Sequence, residues 1–214
     1  MTHAVVFDLD GVLLDSEQVW DDVREQLARE RGGRWHANAQ REMMGMSSIE
    51  WSRYMHDELG LGESPEEISA EVVRRMEQAY SERLPLIDGG REAVERLAAR
   101  WPLGLASSSN RELIDLALEV GRLARFFRVT VSSEEVARGK PAPDVYLEAA
   151  RRLAVQPGRC VAIEDSRNGI RAAKAAGMRV VAIPNPHFPP DDATLELADV
   201  TLTSLAELSP STVA

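Results

Sequence analysis

Val5-Val6-Phe7-Asp8-Leu9-Asp10-Gly11-Val12-Leu13-Leu14-Asp15 is the stretch that decides how this 214-residue chain is read. A continuous apolar run stops at a carboxylate, a second carboxylate follows two residues later, and a glycine then releases the chain from strand geometry. The pattern predicts a buried strand that delivers acid to its own C-terminal end. In a parallel α/β sheet ligands bind at that edge, which favours a chemical role for Asp8 and Asp10. Two carboxylates held close repel each other unless a cation sits between them, and oxygen ligands of this kind suit Mg²⁺. Asp-Gly is also ordinary turn chemistry, so the stretch alone leaves function and simple strand termination both open.

Outward from this strand the β pattern disappears for about seventy residues. Between residues 15 and 84 the spacing is helical: Val19, Val23 and Leu27 recur every fourth position, and Gly32-Gly33 ends that helix. Ser47-Ser48-Ile49-Glu50 has capping-box spacing, and Ser64-Pro65-Glu66-Glu67 adds a proline at the first helical position. Trp20, Trp35 and Trp51 fall here, where packing between helices is their expected use. From Asp15 to Arg83 acidic residues outnumber basic ones 16 to 9, so any phosphate site must be local.

After Asp88-Gly89-Gly90, strands and helices alternate. Leu103 to Ala106, Phe127 to Val131, Val161 to Ile163, Val180 to Ile183 and a short Val200 to Leu202 read as strands, with apolar-periodic helices between them. Such alternation predicts an α/β fold with a mainly parallel sheet covered on both faces. A formal charge of −10 argues against a nucleic-acid or anionic-membrane surface. No apolar run is long enough to cross a bilayer and no signal-peptide pattern opens the chain, so a cytoplasmic location is expected. The single cysteine, Cys160, sits in an apolar run and reads as a small buried hydrophobe.

Polar residues stand where four apolar runs stop: Asp8 and Asp10, then Ser107, then Lys140 in a proline-rich loop, then Glu164 and Asp165. Lys140 is one of only two lysines among 25 basic residues. Carboxylates, a hydroxyl and an ammonium on one sheet edge are the inventory for metal-assisted phosphoryl transfer. A carboxylate attacking a phosphate ester approaches a dianion, so a divalent cation must neutralise both. Asp8 is the expected nucleophile. The expected holders of Mg²⁺ are Asp8, Asp165 and a backbone carbonyl at Asp10, with Glu164 a direct or a water-mediated ligand. Lys140 and Ser107 are expected to hold phosphoryl oxygens. Asp10 is expected to protonate the leaving oxygen and later deprotonate water, forming and then hydrolysing an aspartyl-phosphate.

These residues resemble the haloacid dehalogenase superfamily, in the branch with a helical cap inserted after the first motif. Phe7-Asp8-Leu9-Asp10-Gly11-Val12 is similar to the first motif, Ser107 to the second, Lys140 within Gly139-Lys140-Pro141-Ala142-Pro143-Asp144 to the third, and Glu164-Asp165-Ser166 with Asn168-Gly169 to the fourth. The resemblance implies a Rossmann-like core (1–14 and 85–214), a mobile helical cap (15–84) that selects the substrate, and Mg²⁺ as cofactor. Met44-Gly45-Met46-Ser47-Ser48 resembles the cap loop that reaches the substrate in relatives, and Ser108, Ser109 and Asn110 resemble a second substrate-facing segment. Gly45, Ser47, Ser48, Ser108, Ser109 and Asn110 are therefore the implied substrate contacts.

Departures narrow the choice among relatives. β-Phosphoglucomutases carry a histidine where this chain reads Gln18-Val19-Trp20 and a cap-loop arginine where Ser48 stands. True haloacid dehalogenases lack the equivalent of Asp10, and phosphonoacetaldehyde hydrolases need a cap lysine that 15–84 does not contain. The expected function is a Mg²⁺-dependent phosphatase of a small phosphorylated metabolite, a sugar phosphate or phosphoglycolate, working as a monomer or weak homodimer. The alternatives are a β-phosphoglucomutase-type phosphomutase and a catalytically silent phospholigand-binding protein, which would need a broken motif.

Overall fold

Ala4, Val5, Val6 and Phe7 are all fully buried, and the strand they form, β1 (Ala4–Phe7), lies at the centre of the sheet. The computed structural model describes residues 1–214 with the exception of Gly45. Four helices follow β1: α1 (Glu17–Glu30), α2 (Ala39–Met43), α3 (Ser48–Asp57) and α4 (Pro65–Glu82). The chain then runs α5 (Gly90–Ala98), β2 (Leu103–Ser107), α6 (Arg111–Val120), β3 (Phe127–Ser132), α7 (Asp144–Leu153), β4 (Cys160–Glu164) and α8 (Arg167–Ala175). It ends with β5 (Arg179–Ala182), α9 (Asp192–Leu195), β6 (Val200–Thr201) and α10 (Pro210–Val213). Both expected capping boxes form, Ser47 with Glu50 at α3 and Ser64 with Glu67 at α4.

The six strands are parallel in the order β3-β2-β1-β4-β5-β6, an α/β Rossmann-like sheet. Strand order reverses between β1 and β4, so the crevice at their C-terminal ends is where such a sheet takes its ligands. Alternating side chains divide the core in two. Val5, Phe7, Leu103, Leu105, Val161 and Ile163 face α5 and α6, while Ala4, Val6, Ala106, Cys160 and Ala162 face α7 and α8. The second face is built of smaller residues, and the helices upon it answer with Ala149, Ala150, Ala172 and Ala173. Small residues on both sides let these helices lie close to the sheet.

The first apolar cluster runs on without a break through Leu13 and Leu14 into Trp20, Trp51, Met55, Val72, Met76 and Tyr80 of the helical segment. That segment therefore rests on the sheet edge through buried carbon. Its first helix departs from the pattern in one respect. The most buried stripe of α1 passes through Trp20, Arg24, Leu27 and Ala28, while Val19 and Val23 are only partly buried. A guanidinium therefore lies on the inward face.

Ile163, fully buried on β4 beside Phe7, tests the core. Ile163→Ala should lower stability by about 2–5 kcal/mol in urea unfolding, because the cavity it leaves lies in a rigid sheet. Ile49→Ala, at a position 62% exposed, should change it by less than about 0.5 kcal/mol.

Candidate active site

Parallel pairing aligns Phe7 with Ile163, so the residues that follow, Asp8 and Glu164, leave the sheet side by side. The backbone N–H of Asp8 still donates to the Ile163 carbonyl at 3.0 Å, which carries strand order up to the first carboxylate. Lys140 arrives from the loop before α7. Its Nζ lies 2.9 Å from Asp8 Oδ1 and 2.7 Å from Glu164 Oε1. Tyr146, on the first turn of α7, donates its hydroxyl to the same Glu164 oxygen at 2.6 Å. Burial alone would lower the Lys140 pKa, but the Asp8 and Glu164 carboxylates outweigh it and hold the ammonium firmly charged.

Three carboxylates face this single ammonium, and they are not equally satisfied. Glu164 accepts five hydrogen bonds: from Lys140 and Tyr146 on Oε1, and from the Asp165 and Ser166 amides and the Ser166 hydroxyl on Oε2. Among the described residues Asp165 accepts none on either oxygen, although it is 1% exposed. Among the described residues Asp8 is bonded by Lys140 and the Leu9 amide, both on Oδ1. Burial, with Glu164 adding to it, pushes the carboxyls of both Asp8 and Asp165 well above the usual range. One oxygen from each of Asp8, Glu164 and Asp165 lies within 4.8 Å of the others. Hard oxygen donors, excess negative charge and an orphaned buried carboxylate together fit a divalent metal ion.

Two glycines make room for this cluster. A Cβ on Gly11 would stand 1.9 Å from Asp165 Oδ2, and Gly11 also holds φ +77°, where side chains are strained. A Cβ on Gly169 would stand 1.8 Å from Glu164 Oε1. Gly11 reads in sequence as the release from the first strand, yet both sites require the absence of a side chain.

Asp10 lies apart from the lysine. Its Oδ1 accepts from Ser16 Oγ, from Trp20 Nε1 at 3.2 Å and from the Tyr80 hydroxyl at 3.4 Å; its Oδ2 accepts from Ser109 Oγ at 2.6 Å. Three of these donors follow β1 in the helical segment, so Asp10 ties that segment to the sheet edge. Its carboxylate is not one of the three clustered acids. Ser107, fully buried, accepts from the Ser109 amide on Oγ at 3.0 Å and donates that hydroxyl to Asp10 Oδ2 at 3.5 Å, and it does not line the cavity beside Asp8 and Lys140.

That cavity, of about 50 Å³, is walled on the sheet side by Asp8, Asp10, Ser108, Ser109, Lys140 and Asp165, and on the helical side by Glu17, Trp20, Arg24 and Trp51. Of the expected substrate contacts, Ser108 and Ser109 reach it. Ser47, Ser48 and Asn110 do not. Ser47 is used in the α3 capping box, while Ser48 Oγ and Asn110 Nδ2 both donate to Glu134 Oε1, at 2.9 and 2.8 Å. Gly45 lies outside the described residues. Glu17, Arg24, Tyr80 and Tyr146 carry no motif that marks them in sequence. Tyrosines on the inward faces of helices that adjoin acidic motifs were the available signal, since a buried phenol needs a polar partner.

A family model described as haloacid dehalogenase-like hydrolase matches residues 5–183. The chain belongs to this family. Among relatives of the hydrolase, hexitol phosphatase B of Escherichia coli (strain K12) is 35% identical over 225 aligned residues, covering 96% of this chain and 94% of its own. The phosphorylated carbohydrates phosphatase of Thermotoga maritima is 34% identical, covering 82% of each chain. A crystal structure of CbbY from Rhodobacter sphaeroides in complex with xylulose-1,5-bisphosphate superimposes with a TM-score of 0.85 at 27% identity, over 100% of this chain and 99% of that one.

Because Asp8 and Asp165 have raised pKa values in the folded protein, the metal-free fold binds more protons than the unfolded chain. Its stability should fall as pH rises through those values. A divalent cation should reverse the trend, since it requires the ionised carboxylates. The stabilisation on adding MgCl₂, read as a rise in thermal midpoint, should therefore grow with pH, and it amounts to about 2.7 kcal/mol at a hundredfold excess over Kd. Differential scanning fluorimetry checks this, and Asp165→Asn should remove most of the gain.

Proposed function

We propose that this haloacid dehalogenase-like phosphoric monoester hydrolase is a Mg²⁺-dependent phosphatase acting on a small phosphorylated metabolite, a sugar phosphate or phosphoglycolate-like ester, through an aspartyl-phosphate. The observation that carries the reading is one buried centre in which Asp8 meets the Lys140 ammonium through Oδ1 and stands within reach of Asp165, which has no partner among the described residues. Relatives named for the hydrolysis of phosphorylated hexitols and carbohydrates support the substrate class.

Asp8 and Asp165 would hold Mg²⁺, with Glu164 as a direct or water-mediated ligand, and the bound ion supplies the charge neutralisation that lets a carboxylate approach a phosphate dianion. Asp8 Oδ2 attacks phosphorus while the bond to the leaving oxygen breaks. Lys140, which touches Asp8 Oδ1, neutralises the phosphoryl oxygens as their charge spreads. Asp10 gives its proton to the leaving oxygen. As a carboxylate it then takes one from water, whose oxygen attacks phosphorus and releases Asp8 and inorganic phosphate. Ser16, Trp20, Tyr80 and Ser109 hold Asp10 in place for both transfers. Ser107 and Ser109 contribute on this reading by positioning that acid.

Residues 15–84 are taken as a cap over the core of 1–14 and 85–214, closing to exclude water and select the substrate. The proposed setting is the cytoplasm, in keeping with a buried, unpaired Cys160. Among the described residues no helix is long and apolar enough to cross a membrane.

A screen of sugar phosphates and small phosphate monoesters with Mg²⁺ should show release of inorganic phosphate without isomer interconversion, and no release after chelation. Asp8→Asn should abolish turnover. Asp10→Asn should lower kcat by roughly a hundred- to ten-thousandfold with little change in KM. Turnover that survives in Asp8→Asn would remove the aspartyl-phosphate from the mechanism.

A further inference from the structure

The helical wall of the cavity carries a cation that phosphoryl transfer does not use. Arg24, on the inward face of α1, is 5% exposed, and its Cζ lies 4.4 Å from the ring centroid of Trp20 and 4.7 Å from that of Trp51. The two indoles hold the guanidinium between them, leaving its N–H edge to find partners. Only one is found among the described residues: Nη1 donates to Gln40 Oε1 at 3.3 Å. Nε is buried and unpartnered. Among the described residues no carboxylate lies within ion-pair distance. Glu17, the obvious candidate, instead accepts Gln40 Nε2 at 2.9 Å.

A buried charge without an ion-pair partner is costly. Here the charge persists at neutral pH, since burial brings the guanidinium down only to about 10. Position adds to chemistry. Trp20 touches Asp10 through Nε1, and Arg24 stands one helical turn further along α1, away from the acid that serves the leaving oxygen. Lys140 touches Asp8 in the same cavity. A substrate phosphorylated at one end would meet Lys140 at that end and Arg24 at the other.

We propose that Arg24 is the subsite for a second anionic group, a carboxylate or a phosphate, on the part of the substrate that leaves. This rests on the phosphatase reading above and narrows it to phosphate esters that carry a distal anion. The planar fork between two rings suits the paired oxygens of either group, and a charged hydrogen bond in such a place is worth roughly 10- to 150-fold in affinity.

The test compares matched esters on purified enzyme with Mg²⁺: phosphoglycolate against ethyl phosphate, phosphoglycerate against glycerol phosphate, and propanediol bisphosphate against propyl phosphate. Wild-type enzyme should favour the anionic member at least about tenfold in kcat/KM, mostly through KM. The first two pairs report a carboxylate and the third a second phosphate. In Arg24→Met the ratio should fall to near one. Arg24→Lys, which keeps a charge but loses the fork, should retain part of it, and it serves as the readout if Arg24→Met does not fold. Equal rates within every pair for the wild type, or a ratio unchanged in Arg24→Met, overturn the assignment while leaving the phosphatase reading intact. Phosphate release from no ester at all overturns both.

Discussion

Charge imbalance at the end of two neighbouring strands is the constraint on which the rest of the structure depends. Asp8, Glu164 and Asp165 are buried together, and the Lys140 ammonium bridges only the first two. Such a group is stable only if each charge has an answer. Glu164 is answered within the chain by the lysine, by Tyr146 and by the turn that opens α8. Asp165 has no answer among the described residues, which is why the cluster reads as an ion site. The side-chain-free positions at Gly11 and Gly169 follow from the same crowding, since each is close against one of these carboxylates.

The second acid of the first motif has a different task and a different environment. Asp10 gathers a serine, an indole and a phenol from beyond β1, together with Ser109 from the turn after β2. The arrangement of the helical segment and the aim of the proposed acid/base are thereby linked. Two further ties join the same parts: Glu134 receives Ser48 and Asn110, and Asn168 Nδ2 donates to the Met44 carbonyl at 3.1 Å. Polar residues that resemble substrate contacts in sequence thus act as fasteners in the fold. The proposed chemistry and the enclosure of the cavity share several of their side chains.

Divided cations give the cavity its polarity. The helical segment is acidic overall, so the buried Arg24 guanidinium, which has no ion-pair partner among the described residues, stands out against the local charge. Trp20 serves twice, once as a donor to Asp10 and once as a face for Arg24, and it connects the proposed reacting end of the site with its distal end. The guanidinium of Arg24 stands against this cavity from α1.

The amino-acid order by itself determined the parallel α/β sheet, the helical run between β1 and β2, both capping boxes, the strand ends that carry Asp8, Glu164 and Asp165, and the proline-rich loop that carries Lys140. These are local or periodic signals: apolar runs that stop at acids, serine-to-glutamate spacing, and alternation of strand with helix. Only the tertiary structure decided that Asp10 faces the helical segment, that Ser48 and Asn110 meet at Glu134, that Tyr146 supports Glu164, and that Arg24 stacks between two tryptophans. Each of these depends on which residues from distant parts of the chain share one small volume. Spacing along a chain does not encode that proximity, because it is set by sheet order and by how helices pack, and a buried arginine at helical spacing looks in sequence like any solvated one.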